Sequence, residues 1–238
     1  MSAPDAPADL VRLRRVALAF ALFVGVLWLL HLLRVATSWD AAPLGLEPLG
    51  LEPRTAAGLV GVLTAPLIHG SWGHLLGNSP ALLVLGLAMF FGTPNAARRA
   101  LPLIWLLSGF GVWLFARDAI HIGASGLTFG MLFFVFTVNV LRRDRRSIAL
   151  ALGVAFLYGS MIWGLLPLTP GVSFEYHLTG AVSGLVCAFW LRDRDPLPPR
   201  KRYDWEDEAD AESGAEMESD EPLFFDERGP VDDDRPRR

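Results

Sequence analysis

Six runs of this sequence are apolar over most or all of the length of a bilayer core, and that pattern leaves few folds open. A segment that crosses lipid must satisfy its own backbone, so it is a helix of about twenty residues or a strand of a closed barrel. The runs cover 16–36, 73–92, 100–116, 124–141, 148–166 and 175–191, which is helix length. The third is short and carries Pro102 near its start, a residue suited to a first helical turn. An all-α polytopic membrane protein is expected, and a hydrophobic content of 52% agrees with it. Arg12, Arg14 and Arg15 before the first run imitate a signal peptide. The run is too long for one and lacks a small-residue cleavage site, so it is read as a retained first span.

Basic residues orient the spans. Arg12, Arg14 and Arg15 precede span 1, and Arg98 and Arg99 follow span 2. Arg142, Arg143, Arg145 and Arg146 follow span 4, and Arg192, Arg194, Arg200, Lys201 and Arg202 follow span 6. The opposite loops offer only Arg34, Arg54 and Arg117, so both termini are expected in the cytoplasm. Spans 2, 4 and 6 then run from outside to inside. His74 and Asn78, Ser125 and His177 all fall near the outer ends of those spans, at similar depth. Polar groups inside a membrane are costly and by default functional.

Three regions follow from this division: a cytoplasmic segment 1–15, a six-span core 16–191, and a cytoplasmic stretch 192–238 that is first basic and then acidic. Between Asp204 and Asp234 there are fifteen acidic residues and one arginine, a composition that cannot bury a core and is expected to be disordered. No partner for this tail is legible. The external segment of about 37–72 is rich in proline, and its apolar part Gly58 to Ile68 is too short to span. Cys187, the sole cysteine, lies in an apolar run and reads as a packed thiol.

Chemistry concentrates in three places. His74 and Asn78 are four apart, so a helix aims both side chains the same way, with Ser71 as N-cap and His69 in the preceding loop. Ser125 lies in Gly123-Ala124-Ser125-Gly126 at the start of span 4, where unpaired backbone N–H groups favour an oxyanion. Gly126 and Gly130 make a small face there. His177, Gly180, Ala181 and Gly184 make a matching face on span 6, which would bring His177 towards Ser125. A serine hydroxyl needs a base to become a nucleophile, and His177 is the candidate, in a dyad rather than a triad. Glu175 points elsewhere on the helix. A metal site is a poor reading, because no carboxylate joins the histidines within the spans. Neither a cofactor nor a nucleic-acid partner is expected.

On these three motifs, in this order and on these spans, the chain resembles the rhomboid family of intramembrane serine proteases. The resemblance covers about 16–191 and implies a six-transmembrane-helix bundle that cleaves membrane-spanning protein substrates within the lipid bilayer. It implies Ser125 as nucleophile and His177 as general base. His74, Asn78 and the Ser125 backbone N–H would form the oxyanion hole, and Phe129 would pack on His177. A multi-pass protein of a bacterial inner membrane is the implied setting. The rival reading is a catalytically silent rhomboid-like chaperone or binding protein, against which both Ser125 and His177 stand. A small transporter would need polar groups deeper in the spans. Two departures stand out. The Trp-Arg pair frequent in the family's first external loop has only Pro53-Arg54 as its echo, and Tyr176 stands where a small residue often precedes the histidine, which is expected to reshape the rim of the site. Phe156, Tyr158 and Trp163 on span 5 are expected to close a gate against span 2.

Overall fold

The computed structural model describes residues 6–36 and 49–197. Its helices are α1 (Ala6–Ala36), α2 (Gly58–Thr64), α3 (Trp72–Gly92), α4 (Pro94–Phe115), α5 (Ser125–Arg142), α6 (Arg145–Tyr158) and α7 (Phe174–Leu191). Short 3-10 turns cover Ala65–Leu67, Gly159–Leu165 and Arg192–Arg194. The segments Leu10–Ala36, Trp72–Gly92, Ser125–Arg142 and Arg145–Leu165 are long and apolar enough to cross a membrane. The fold is thus all-helical, and the protein is a multi-pass membrane protein. Helices α4 and α7 have spanning length but are more polar. The first carries Asn95, Arg98 and Arg99 at its start, and the second Glu175 and His177. The acidic tail and its expected disorder lie outside the described residues, as does the first part of the connection between α1 and α3, residues 37–48.

Two helix starts differ from the sequence reading. Helix α1 begins at Ala6, so Arg12, Arg14 and Arg15 ride on the helix rather than ahead of it. Helix α4 begins at Pro94 in its first turn, which leaves Pro102 inside the helix and puts Arg98 and Arg99 on its opening turns. The cause is distant in sequence. The Asp195 carboxylate accepts from Asn95 N at 3.0 Å and Ala96 N at 2.8 Å, placing negative charge on unpaired N–H groups at the positive end of α4.

The centre of the bundle is α5 against α7, the most extensive helix pair among the described residues. The two small faces meet as their spacing predicts. A Cβ at Gly180 would strike the Gly126 backbone, and one at Gly184 the Gly130 carbonyl oxygen. Backbone-to-backbone approach of this kind replaces the hydrophobic drive that lipid abolishes. Met131, Phe134 and Cys187 are fully buried in the same core, with Leu75, Leu82 and Leu85 from α3. Helix α1 joins through Phe20, whose ring fills the space a side chain at Gly86 would need, and through Trp28 Nε1, which donates to Ser79 Oγ at 3.0 Å.

The connection between α1 and α3 is anchored without a Trp-Arg pair in sequence. Arg54 adopts a φ of 59° and donates from Nη1 to Ala116 O at 2.7 Å, with an ion pair to Asp118. The tryptophan comes from α4: Trp113 Nε1 donates to Thr55 O at 2.8 Å, and Arg54 N to Trp113 O at 2.9 Å. Gly61 lets α2 lie on the Gly50–Leu51 backbone, and Leu51 pairs with His121 in an isolated antiparallel bridge.

Tyr176 is not at the rim of the site. It is fully buried with Leu51, Val62, Val112 and Ala116 in a second apolar cluster, its ring lying where Gly126 has no side chain. A small residue on α5 admits the large one on α7.

Candidate active site

Ser125 is the first residue of α5, and no side chain caps that helix start. The first internal bond runs from Thr128 N to Ala124 O, so the amides of Ser125, Gly126 and Leu127 have no partner within the helix. Gly123 precedes the turn with a φ of 109°, a conformation that only glycine adopts freely. Its missing side chain also matters. A Cβ there would overlap the His74 ring, so the glycine brings that imidazole close to the α5 start. His74 is placed in turn by the N-cap of α3, where Ser71 Oγ accepts from His74 N at 3.2 Å.

His177 stands in the first turn of α7. Its ring stacks on Phe129 with centroids 4.1 Å apart and planes within 6°, as the resemblance implied. Its Nδ1 lies 2.7 Å from the Gly164 carbonyl oxygen. A carbonyl only accepts, so Nδ1 carries the proton and the neutral ring keeps its basic lone pair on Nε2. Ser125 and His177 share no hydrogen bond, but both line one cavity of about 860 Å³, together with His74, Asn78 and Phe129. Catalytic hydrogen bonds are often long before substrate arrives.

Asn78 is differently engaged from the sequence expectation of a free donor. Its Nδ2 donates to His74 O at 3.1 Å and faces His69 Nε2 at 3.3 Å. His69 lies behind the cavity, buried, with Nε2 also 3.5 Å from Ala124 N. Its own carbonyl accepts from Arg34 at 2.6 Å and from His31 Nδ1 at 3.1 Å, which ties α1 to this loop. His69 thus joins α1, α3 and the α5 start, a wider role than holding one loop. Gly180 and Gly184 are packing positions against α5 and do not line the cavity.

The outer wall holds residues that motif reading did not reach. Arg117 pairs with Glu175 at 3.0 Å and donates to Val172 O at 3.0 Å. His121 Nε2 donates to Arg117 O at 3.1 Å, which leaves Nδ1 to accept from the Ser173 hydroxyl at 2.6 Å. Burial holds His121 below the usual imidazole range, with Arg117 and Arg54 adding to that and the Arg117 carbonyl and Glu175 opposing it. Two contacts therefore clamp the loop before α7 onto the loop before α5. Gly164 was also missed, because its contribution is a backbone oxygen that no residue type announces.

The expected gate residues are corrected in part. Phe156 is 90% exposed and Trp163 64%, so both face outward. In lipid an apolar side chain gains nothing by turning inward, and bulk alone does not place it. Tyr158 does meet α3, donating to Pro80 O at 3.3 Å, and Met161 lines the cavity.

Comparison with known proteins identifies the family of the chain and several relatives. Residues 56–194 match the family model of the Rhomboid domain. An uncharacterized protein of Mycobacterium bovis is 40% identical over 151 residues, 60% of this chain and 63% of the relative. An uncharacterized protein of Mycobacterium leprae is 34% identical over 142 residues, 56% of each chain. The RHOMBOID-like protein 4 of Arabidopsis thaliana is 30% identical over 139 residues, 55% of this chain and 33% of that one. The chain spans under two thirds of the length of these relatives.

Proposed function

The chain belongs to the rhomboid family, and on that premise we propose that it is an intramembrane serine protease working through Ser125 and His177. One observation carries the reading. His177 is held by a stacked ring and a carbonyl so that Nε2 is its basic atom, and it opens on the same cavity as a serine at an uncapped helix start.

In this mechanism Nε2 takes the Ser125 proton as Oγ attacks the scissile carbonyl carbon. The oxyanion receives the Ser125 amide and the ring N–H of His74, in the field of the α5 N-terminus. Asn78 joins by releasing His69 or His74 O as the new acceptor arrives. The proton on Nε2 then passes to the leaving amine, and water releases the acyl group by the reverse sequence. The substrates are transmembrane segments of other proteins. The core would cross the bilayer six times, with α4 and α7 supplying the two more polar crossings. Both termini would face the cytoplasm of a bacterial inner membrane, as the arginine distribution directs.

The test is cleavage of a labelled transmembrane substrate by the full chain in liposomes. Turnover is expected in the native protein and at background in Ser125→Ala, with no effect of strong chelators. Cleavage that persists in folded Ser125→Ala would refute the assignment.

A further inference from the structure

The orienting partner of His177 comes from the least packed part of the bundle. After Tyr158 helix α6 gives way to the 3-10 segment Gly159–Leu165, none of whose residues is buried. Ile162 and Trp163 are more than half exposed, and the following residues from Leu166 to Val172 are all exposed. Yet this segment places the Gly164 carbonyl 2.7 Å from His177 Nδ1. The approach is close on two sides. A Cβ at Gly164 would lie 2.8 Å from Phe129 Cζ and 3.0 Å from His177 Nδ1, so only glycine lets this backbone reach the ring. Phe129 holds the plane of the imidazole and Gly164 fixes its tautomer. No carboxylate hydrogen-bonds to His177 among the described residues; Glu175, two residues before it, is turned to Arg117.

Resting on the protease reading above, we propose that Gly164 is the positioning residue of the dyad, its carbonyl doing what a third side chain does elsewhere. The 3-10 segment then couples access to chemistry. Met161 of the same segment lines the cavity, so a substrate that enters past it displaces the carbonyl and leaves the base free to change tautomer. The bond is made again only when the segment settles back over the bound substrate. Cleavage is thereby confined to substrates that let the segment close.

The test combines a spectrum with kinetics on the full chain in micelles. Nitrogen-15 spectra of histidine-labelled native protein should show neutral His177 with its proton on Nδ1. Gly164→Ala should convert that signal to a mixture of tautomers and lower kcat about 10- to 100-fold, the scale of a small misplacement of a reacting group, with KM within about twofold. Ile162→Ala, on the same segment but facing outward, should change neither. A native His177 with its proton on Nε2 overturns the proposal whether or not the variant folds. So does a folded Gly164→Ala that loses the tautomer but keeps kcat. Full turnover in Ser125→Ala would instead sink the protease reading, while the tautomer measurement would still report on Gly164.

Discussion

Two parts of this bundle meet at the candidate site with opposite packing. In α5, 67% of the membrane-crossing stretch is buried, whereas in Arg145–Leu165 the figure is 11%. The candidate nucleophile Ser125 sits on the first kind of element, locked by glycines to α7, which carries the candidate base His177. The atom that orients the base sits on the second. A protease whose substrate arrives through lipid needs both, a rigid pair to hold reacting atoms and a loose wall to admit the chain. The division is made by where glycines face. A Cβ at Gly180 or Gly184 of α7 would strike the α5 backbone, and one at Gly126 or Gly130 of α5 would strike Tyr176 or Ile104, while Gly153 and Gly159 have nothing within 4 Å of where a Cβ would stand.

Substituting glycines on the two sides breaks this comparison most sharply. Gly180→Val should abolish turnover and destabilise the fold by about 3 kcal/mol or more, because the obstacle is the Gly126 backbone and cannot rotate away. Gly153→Ala should leave the melting temperature unchanged or raise it slightly, through better helix propensity. Thermal unfolding in detergent reads both, and equal effects would erase the proposed difference.

Within the rigid half, His74→Ala should cost about 100- to 1000-fold in kcat, the usual loss for one oxyanion donor, with folding intact. On the loose side, Tyr158→Phe removes the hydroxyl that reaches Pro80 O. One hydrogen bond is worth about 0.5–1.5 kcal/mol net, so cleavage of membrane substrates should rise roughly 2- to 10-fold while small water-soluble esters are unaffected. A fall in membrane-substrate turnover would mean that this contact supports the site instead.

The smallest expected effect is on pH. His121 is neutral in the fold and its pKa is lowered by burial. Its contribution to stability is present above the unfolded value of about 6.5 and is lost as pH falls through the lower folded value. The clamp on Ser173 should loosen in that window, seen as faster amide exchange at 172–174, with no such change in His121→Gln.

Much of this was legible in the chain because membrane helices leave strong marks. The apolar runs and the paired small faces are side-chain patterns, and each run holds a helix, although α1 and α4 begin earlier than their runs do. What escaped is carried by backbone or by distant partners. Pro102 suits a helix start at residue 100, whereas Asp195 sets that start six residues earlier, at Pro94. The Trp113 that secures the connection between α1 and α3 lies on another helix, 59 residues after Arg54. The space that receives the Tyr176 ring is opened by Gly126 on another helix. Phe156 carries no mark of its outward direction, because lipid and protein reward the same side chains. Gly164 has no side chain to read.

Active-site labelling tests the pairing of Ser125 with His177 most directly. The full chain in liposomes is treated with a fluorophosphonate, digested and examined by mass spectrometry, beside His177→Ala. One adduct is expected, on Ser125, whose formation slows at least 100-fold in the folded variant along with loss of substrate cleavage. An adduct on another residue, or unchanged labelling of Ser125 without His177, would contradict it.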